Sequence, residues 1–266
     1  MKAKKTRGVM FIDWSVERIL AGAKTVTRRL IEPRPYALVG GDFSSFVVKD
    51  GDAFWYPWGK NSFNLKSPGI ANLRAAPVGP YAGLDSIWVK EVWRVGDWKP
   101  DGRMCFDYRA SSDQVRTPWV RPSRKRFDRL VKQSMAECNR KWITMAPDAP
   151  KNRGGIFHWT HGRSPCRWRS GLFMPREFSR ITLPLVSVRA ERLLDITDED
   201  ALLEGVEAKG PKADLFFVNY SDPAARCVSP RLSYLSLWKK LNEDRVNSEN
   251  PWVWRIEWKP PTEARR

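Results

Sequence analysis

The apolar positions of the chain follow two periods, one typical of strands and one typical of helices. Runs in which apolar side chains alternate or cluster over five to sixteen residues predict β-strands. These runs lie at residues 8–12, 86–93, 104–109, 179–194 and 252–258. The run at 104–109 is predicted to pair with 86–93 as a hairpin, and Pro184 indicates a bulge or an edge position in its strand.

Three helices are predicted from helical spacing together with capping residues. The first follows the oxygens of Asp13 and Ser15 and ends at Gly22. The second begins at the cap Thr197 and ends at Gly205, and the third begins at Ser229-Pro230 and ends at Asn242. Its predicted apolar face comprises Tyr234, Leu237, Trp238 and Leu241.

Two segments show neither the strand-like nor the helical pattern of apolar residues. Residues 33–85 are rich in Gly, Pro, Asn and Ser and predict a long ordered loop. Residues 114–176 hold fifteen Lys and Arg against three acidic residues, a net charge of +12, with four Trp interleaved. Within this segment residues 124–140 are compatible with a helix whose weak apolar face would be Phe127, Leu130, Val131 and Ser134. A solvated loop is the alternative.

Composition narrows the class of protein. The chain has 266 residues, a net charge of +17 and 14 Trp, which favours a polyanionic partner such as RNA, DNA or a nucleotide. A basic surface that serves only solubility is the alternative. The four cysteines are widely spaced, and the basic residues at 2–7 precede no long apolar run, a pattern that argues against a signal peptide. We therefore expect free thiols, a cytoplasmic location and no membrane association.

The most informative local pattern is the stretch LAGAKTVTRR at residues 20–29. A predicted helix ends there and a strand begins, so that Thr25, Thr27 and Arg29 would share one face of the strand, with Arg28 on the other. The alternation does not fix the direction of Lys24. Ordinary surface positions are the alternative interpretation for these residues.

This stretch resembles the opening signature of ASCH-domain proteins, particularly the larger forms found in phage and prophage genomes. The resemblance continues in order through GLDSIWVKEVWR, FMPREFSRITLPLVSVRAERLLDITDEDALLEGV and NPWVWRIEW. It implies an α+β fold in which a small PUA-like β-barrel is flanked by helices. We expect a single domain over residues 1–266, with its core at 8–32, 84–110 and 172–259 and a basic insertion at 114–171.

The resemblance also implies a site. Small bacterial ASCH proteins are amidohydrolases of N4-acetylcytidine that use a Lys, a Thr and a Glu, to which Lys24, Thr27 and Glu204 correspond. Thr27 would be the nucleophile or orient a water, Lys24 the base or the oxyanion partner, and Glu204 the proton shuttle. This interpretation requires the three side chains to converge within hydrogen-bonding reach. A solvated carboxylate is the alternative for Glu204.

Further residues are assigned to substrate or nucleic-acid binding. Arg28 and Arg29 are candidates for a phosphate or a base edge, unless they pair with Glu177, Glu191 or another carboxylate. Glu91 and Trp93 are candidates for the pocket, unless Trp93 is a core residue and Glu91 an ion-pair partner. The residues expected to contact nucleic acid are Arg124, Lys125, Arg126, Arg167 and Arg169.

We expect neither a metal nor a cofactor. His158, His161 and Cys166 are the nearest approach to a metal-ligand set, and their spacing matches no usual zinc site. The resulting hypothesis is a hydrolase that removes an acyl group from a modified base. A non-catalytic module that binds RNA or modified DNA, or a ribonuclease, are the alternatives.

Overall fold

The fold is taken from a computed structural model of the chain. The structure describes residues 4–31, 44–49, 52–57, 80–81, 83–110, 119–145, 162, 164–243 and 250–261. Within them the chain is a mixture of helices and strands, which confirms the predicted α+β class. None of the sheets in this described part closes into a barrel.

The strands are short, with one longer exception at residues 182–192. In chain order they are β1 (Thr6–Met10), β2 (Val26–Leu30), β3 (Ser44–Lys49), β4 (Asp52–Pro57), β5 (Ser86–Lys90), β6 (Trp93–Trp98), β7 (Met104–Tyr108), β8 (Thr182–Arg192), β9 (Ala208–Lys209), β10 (Phe216–Val218), β11 (Arg226–Cys227) and β12 (Trp252–Trp258).

The α-helices of the described residues are α1 (Asp13–Leu20), α2 (Arg124–Met145), α3 (Asp198–Leu203) and α4 (Pro230–Asn242). Short 3-10 turns occur at Gly171–Phe173, Arg176–Phe178, Leu193–Asp195 and Lys212–Asp214. None of the helices in the described part of the chain combines the length and the apolar content needed to cross a bilayer.

The chain divides into two compact units. The first comprises Met1–Lys5, Ala23–Asp85 and Leu185–Lys259. The second comprises Thr6–Gly22, Ser86–Pro184 and Pro260–Arg266. Each unit is therefore assembled from segments that are far apart in sequence.

The first unit is built on three antiparallel strands with β12 in the middle, between β2 and β8. The register places Arg255 of β12 opposite Arg28 of β2 and Ile256 opposite Thr27. Helices α3 and α4 complete its core, in which Leu193, Ile196, Ala201, Val206, Phe217, Cys227, Tyr234, Trp238 and Val253 are buried. Two smaller elements, the β3–β4 hairpin and the sheet β11-β10-β9, also belong to this unit.

The second unit contains the parallel pair β1–β5 and the antiparallel hairpin β6–β7. Strand β5 also pairs with Thr182, Leu183 and Pro184, the first residues of β8. The long helix α2 covers a core that includes Trp93, Phe106, Phe127, Leu130, Cys138, Cys166 and Phe178. The predicted apolar face of α2 is confirmed, because Phe127, Leu130 and Ser134 are buried and Val131 is half-buried.

Local signals predicted several elements correctly. The Thr197 hydroxyl accepts a hydrogen bond from the Asp200 amide at 3.2 Å, and Gly205 ends that turn with φ of +91°. The Ser229 side chain likewise caps α4, with Pro230 as its first residue. Glycine is favoured at positions with positive φ, so Gly205 ends the helix as predicted.

Other predictions were wrong. Strand β7 pairs with β6, which shares only Trp93 with the predicted partner segment 86–93, because the chain turns back after Trp98. The predicted loop at 33–85 contains the β3–β4 hairpin. The cap of α1 is Ile12, which offers no side-chain oxygen. Leu241 is half exposed at 50%, since α4 is buried mainly through Tyr234 and its neighbours.

Candidate functional site

The side chains of Lys24 and Glu204 meet inside the first unit. Lys24 lies two residues before β2, and Glu204 is the C-terminal cap of α3. The Lys24 ammonium donates to Glu204 Oε2 at 2.5 Å and to the Glu204 carbonyl at 2.7 Å. A backbone hydrogen bond from the Thr25 amide to the Leu203 carbonyl, at 2.9 Å, fixes the two segments against each other. Residues 180 positions apart thus form one buried pair.

Arg28 adds a second cation to this pair. Its guanidinium donates to Glu204 Oε1 at 3.3 Å, to Glu191 Oε1 at 2.7 Å and to Asp200 Oδ2 at 2.5 Å. The Arg28 side chain is 0% exposed. The alternative interpretation in which Arg28 pairs with carboxylates is therefore the arrangement that the structure contains, and three carboxylates share this one guanidinium.

Arg255 extends the network on the neighbouring strand. Its guanidinium donates to both oxygens of Asp200 and, at 2.7 Å, to Glu257. Asp200 consequently bridges two arginines that lie side by side across β2 and β12. Burial would raise the pKa of Asp200, but the hydrogen bonds and charges of Arg255 and Arg28 lower it below its ordinary value. Asp200 is therefore held ionised.

The electrostatics of the pair are set by desolvation. Burial lowers the pKa of Lys24 below its ordinary value of 10.5, and the attraction of Glu204 offsets only part of this effect. The phenol of Tyr234 is also buried, and its pKa is raised by burial and by the Glu204 carboxylate. Tyr234 therefore remains protonated beside the pair. A lysine whose pKa is lowered next to a carboxylate can exchange a proton at a pH where ordinary lysines cannot.

Thr27 does not join Lys24 and Glu204 in a hydrogen-bonded trio. It is buried on β2, where alternation directs it to the face opposite that of Arg28. Among the residues that the structure describes, no hydrogen bond links its hydroxyl to either partner. Arg29 shares the face of Thr27 and lies opposite Trp254 in the register. The structure thus brings two of the three predicted residues together.

Glu91 and Trp93 belong to the core of the second unit. Arg180 holds the Glu91 carboxylate in a bidentate ion pair, with distances of 3.0 and 2.8 Å. Trp93 is 3% exposed and packs against Phe106 and Phe178, with ring centroids 5.4 and 5.2 Å away. Burial raises the pKa of Glu91, and Arg180 opposes that shift. Trp93 is therefore a core residue and Glu91 an ion-pair partner, as the alternative interpretation of each residue states.

The predicted nucleic-acid contacts lie on α2 and on the segment 164–170 of the second unit. Arg124 pairs with Asp128 at 3.0 Å, and Arg126 pairs with Glu177, whereas the Lys125 side chain is exposed. The first turn of α2 contains no acidic residue. Cations at a helix N-terminus oppose the helix dipole, so helix stability does not account for these residues.

Arg167 and Arg169 both bind the Glu137 carboxylate of α2. Glu137 accepts the Arg167 amide at 3.0 Å and binds the guanidinium groups of Arg167 and Arg169 at 3.0 and 3.3 Å. The Arg167 side chain nevertheless remains 69% exposed, whereas that of Arg169 is 11% exposed. Arg167 therefore faces solvent and Arg169 is largely structural. His158 and His161 lie outside the described residues.

Sequence reasoning did not identify Arg255, Asp200 or Tyr234 as members of the charged network. The sequence pattern indicates no ion-pair role for Asp200 and places Tyr234 only on the apolar face of α4. The signal available for Arg255 was a cation in the centre of the strand WVWRIEW, in which Glu257 is the other charged residue. A charged residue at such a position requires a partner, because a buried unpaired charge is strongly unfavourable.

The chain was compared with protein-family models, curated proteins and solved structures. No family model, no curated protein and no solved structure matches it.

Proposed function

We propose that the protein is directed at nucleic acid or a nucleoside, and that Lys24 and Glu204 form a hydrolytic centre that removes an acyl group from a modified base such as N4-acetylcytidine. The observation that supports this proposal is the buried contact of 2.5 Å between Lys24 Nζ and Glu204 Oε2. The ASCH resemblance supplies the substrate class.

The proposed chemistry uses the proton that the pair shares. Neutral Lys24, favoured by its lowered pKa, removes a proton from a water whose oxygen attacks the acyl carbon. The carbon–nitrogen bond then breaks, and protonated Glu204 or Lys24 returns a proton to the N4 amine of the base. The guanidinium of Arg28, 3.3 Å from Glu204 Oε1, supplies a fixed positive charge for the developing oxyanion.

Thr27 has no covalent role in this scheme. Because its hydroxyl lies on the opposite face of β2 from Arg28, a water is the nucleophile that the geometry favours. Lys24 and Glu204 are only 3% and 2% exposed. A substrate therefore has to displace the side chains that cover the pair before the acyl carbon can reach it.

Binding without turnover is the second candidate. The observation that favours it is the set of exposed cations on α2, which carries Arg124, Lys125, Arg129, Lys132 and Arg140 on exposed positions. Such a row raises the local concentration of a polyanion and makes binding salt-dependent. This binding function requires no chemical step at Lys24.

A turnover assay distinguishes the two candidates. Free N4-acetylcytidine and an RNA oligonucleotide that contains it are incubated with the intact protein, and acetate and the deacetylated base are quantified by mass spectrometry. We expect release by the intact protein and loss of release in Lys24→Met, while the control Lys240→Met, at an exposed lysine of α4, retains it. Folding of each variant is verified by circular dichroism.

Each result has a defined meaning. Undiminished release by folded Lys24→Met would refute the proposed centre. No release by the intact protein, together with tight salt-dependent RNA binding, would leave the binding module as the function. Shortened RNA in the same reactions would instead indicate the ribonuclease alternative.

A further inference from the structure

Two cysteines meet inside the second unit, on elements that the proposed hydrolytic centre does not use. Cys138 lies on α2, and Cys166 lies on the extended segment that returns to pair Arg169 with Trp93. Both are reduced, both are buried, at 3% and 1% exposed, and both belong to the same core cluster. The Cys138 thiol lies close enough to that of Cys166 to lower the pKa of Cys166.

The surroundings fix the two segments at this point. Glu137, the neighbour of Cys138 on α2, accepts the backbone amide of Arg167, the neighbour of Cys166, at 3.0 Å. The Cys166 amide donates to Ser164 Oγ at 3.3 Å, and that hydroxyl donates to the Val95 carbonyl at 2.6 Å. The Glu137 contact therefore ties the neighbour of Cys138 to the neighbour of Cys166 independently of the sulfur atoms.

We propose that Cys138 and Cys166 form a reversible disulfide when the protein meets a peroxide, which fastens the segment 164–170 covalently to α2. A disulfide requires the two Cα atoms to lie within about 7 Å, and the contact between Glu137 and the Arg167 amide, the residues next to the two cysteines, favours that closeness. Neither Cys105 nor Cys227 is a partner, since each is buried on a different strand.

The reaction balances with one peroxide for each disulfide. The Cys166 thiolate attacks one peroxide oxygen; a sulfur–oxygen bond forms, the oxygen–oxygen bond breaks, and hydroxide leaves and takes up a proton. The Cys138 thiol then attacks the sulfenic sulfur, and the sulfur–oxygen bond breaks with release of a second water. The two sulfurs lose two electrons in total, and the peroxide gains them.

Cys166 is suited to the first step. The neighbouring Cys138 thiol, and after it the Ser164 hydroxyl, lowers the pKa of the Cys166 thiol to about 7, although burial opposes this. Roughly half of the thiol is then ionised at neutral pH, whereas an ordinary thiol is a few per cent ionised. The low exposure of both sulfurs implies that the reaction follows a local opening and is slower than in a small thiol.

The test uses the full chain in its folded state. The protein is treated with one equivalent of hydrogen peroxide, remaining thiols are alkylated under denaturing conditions, and non-reduced peptides are mapped by mass spectrometry. We expect a Cys138–Cys166 peptide pair that is lighter by two hydrogens and is lost on reduction, with Cys105 and Cys227 alkylated.

Variants separate a disulfide from a merely buried thiol. Cys138→Ala is expected to stop at a Cys166 sulfenic acid, which dimedone traps, whereas the matched control Cys105→Ala is expected to form the same disulfide as the unmodified chain. A link that involves Cys105 or Cys227 would overturn the proposal. Oxidation of Cys166 to sulfinic acid in the unmodified chain, or no oxidation of the pair at all, would do so equally.

Discussion

The charged network around Glu204 permits a quantitative test through the substitution Glu204→Gln. Glutamine keeps the shape of the side chain but removes the charge that faces Lys24 and Arg28. The side chains of the three residues are 2%, 4% and 0% exposed, so solvent screens their interactions only weakly. Breaking a buried ion pair by removing one partner costs about 3–5 kcal/mol.

The structure places the expected cost near the lower end of that range. Arg28 keeps its bonds to Glu191 and Asp200, and Lys24 keeps the Glu204 carbonyl at 2.7 Å. Lys24 can also lose its proton, since burial already lowers its pKa. We therefore expect a loss of about 3 kcal/mol in the free energy of unfolding, which is roughly a hundredfold in the folding equilibrium.

Urea denaturation followed by far-ultraviolet circular dichroism measures this loss, provided that the slope with urea is unchanged. The matched control is Asp214→Asn, whose ion pair with Arg226 at 3.2 Å is 72% and 59% exposed. Exposed pairs contribute less than about 1 kcal/mol. If Glu204→Gln costs no more than Asp214→Asn, the buried pair does not exist in solution and the argument for the site fails.

A double variant separates the charge from the packing. Lys24→Met combined with Glu204→Gln removes both members of the pair and leaves no unpaired lysine. Because an apolar replacement of a buried ion pair is often neutral or stabilising, we expect the double variant to be more stable than Glu204→Gln alone. An additive loss would show that the two side chains are not coupled.

Three further predictions follow from the described contacts. The pKa of Lys24 is lowered in the folded state, so the unfolded chain binds more protons between that lowered value and 10.5. The free energy of unfolding should therefore rise with pH across this window. Lys24→Met should abolish the rise, and parallel pH profiles of the two proteins would contradict the prediction. Charge reversal at Arg124 and Lys125 should weaken oligonucleotide binding and flatten its salt dependence in titrations by fluorescence anisotropy, and an unchanged slope would mean that these charges serve solubility. Gly8→Ala should destabilise the protein by about 1–3 kcal/mol in thermal or urea melts, because the added Cβ would lie 2.5 Å from the Trp88 ring. An unchanged midpoint would contradict this prediction and mean that the Trp88 ring moves aside freely.

Several elements could be predicted from sequence because their determinants are local. The cap at Thr197, the Ser229-Pro230 start of α4 and the alternation in residues 252–258 each lie within a few neighbouring residues. Backbone hydrogen bonding and side-chain period act over that same distance. The proximity of Lys24 and Glu204 was expected only through the family resemblance, since nothing in the spacing relates positions 24 and 204.

Strand pairing and the partners of buried charges were decided by the tertiary structure. The run at 104–109 pairs equally well, by its pattern, with 86–93 or with the strand that follows it, and the short turn after Trp98 selects β6. Arg28 had several carboxylates as possible partners, and the fold supplied Glu191, Asp200 and Glu204 together.

The sequence by itself determined the α+β class, the caps of α3 and α4, the buried face of α2 and the basic character of the chain. These properties depend on residue type and on periods of two and 3.6 residues, which are present before any tertiary contact forms. The tertiary structure alone decided that Trp93 is a core residue, that Arg28 binds three carboxylates, and that Cys138 and Cys166 share one core cluster. Those outcomes depend on which distant surfaces exclude water together, and burial of that kind has no signature in the local order of residues.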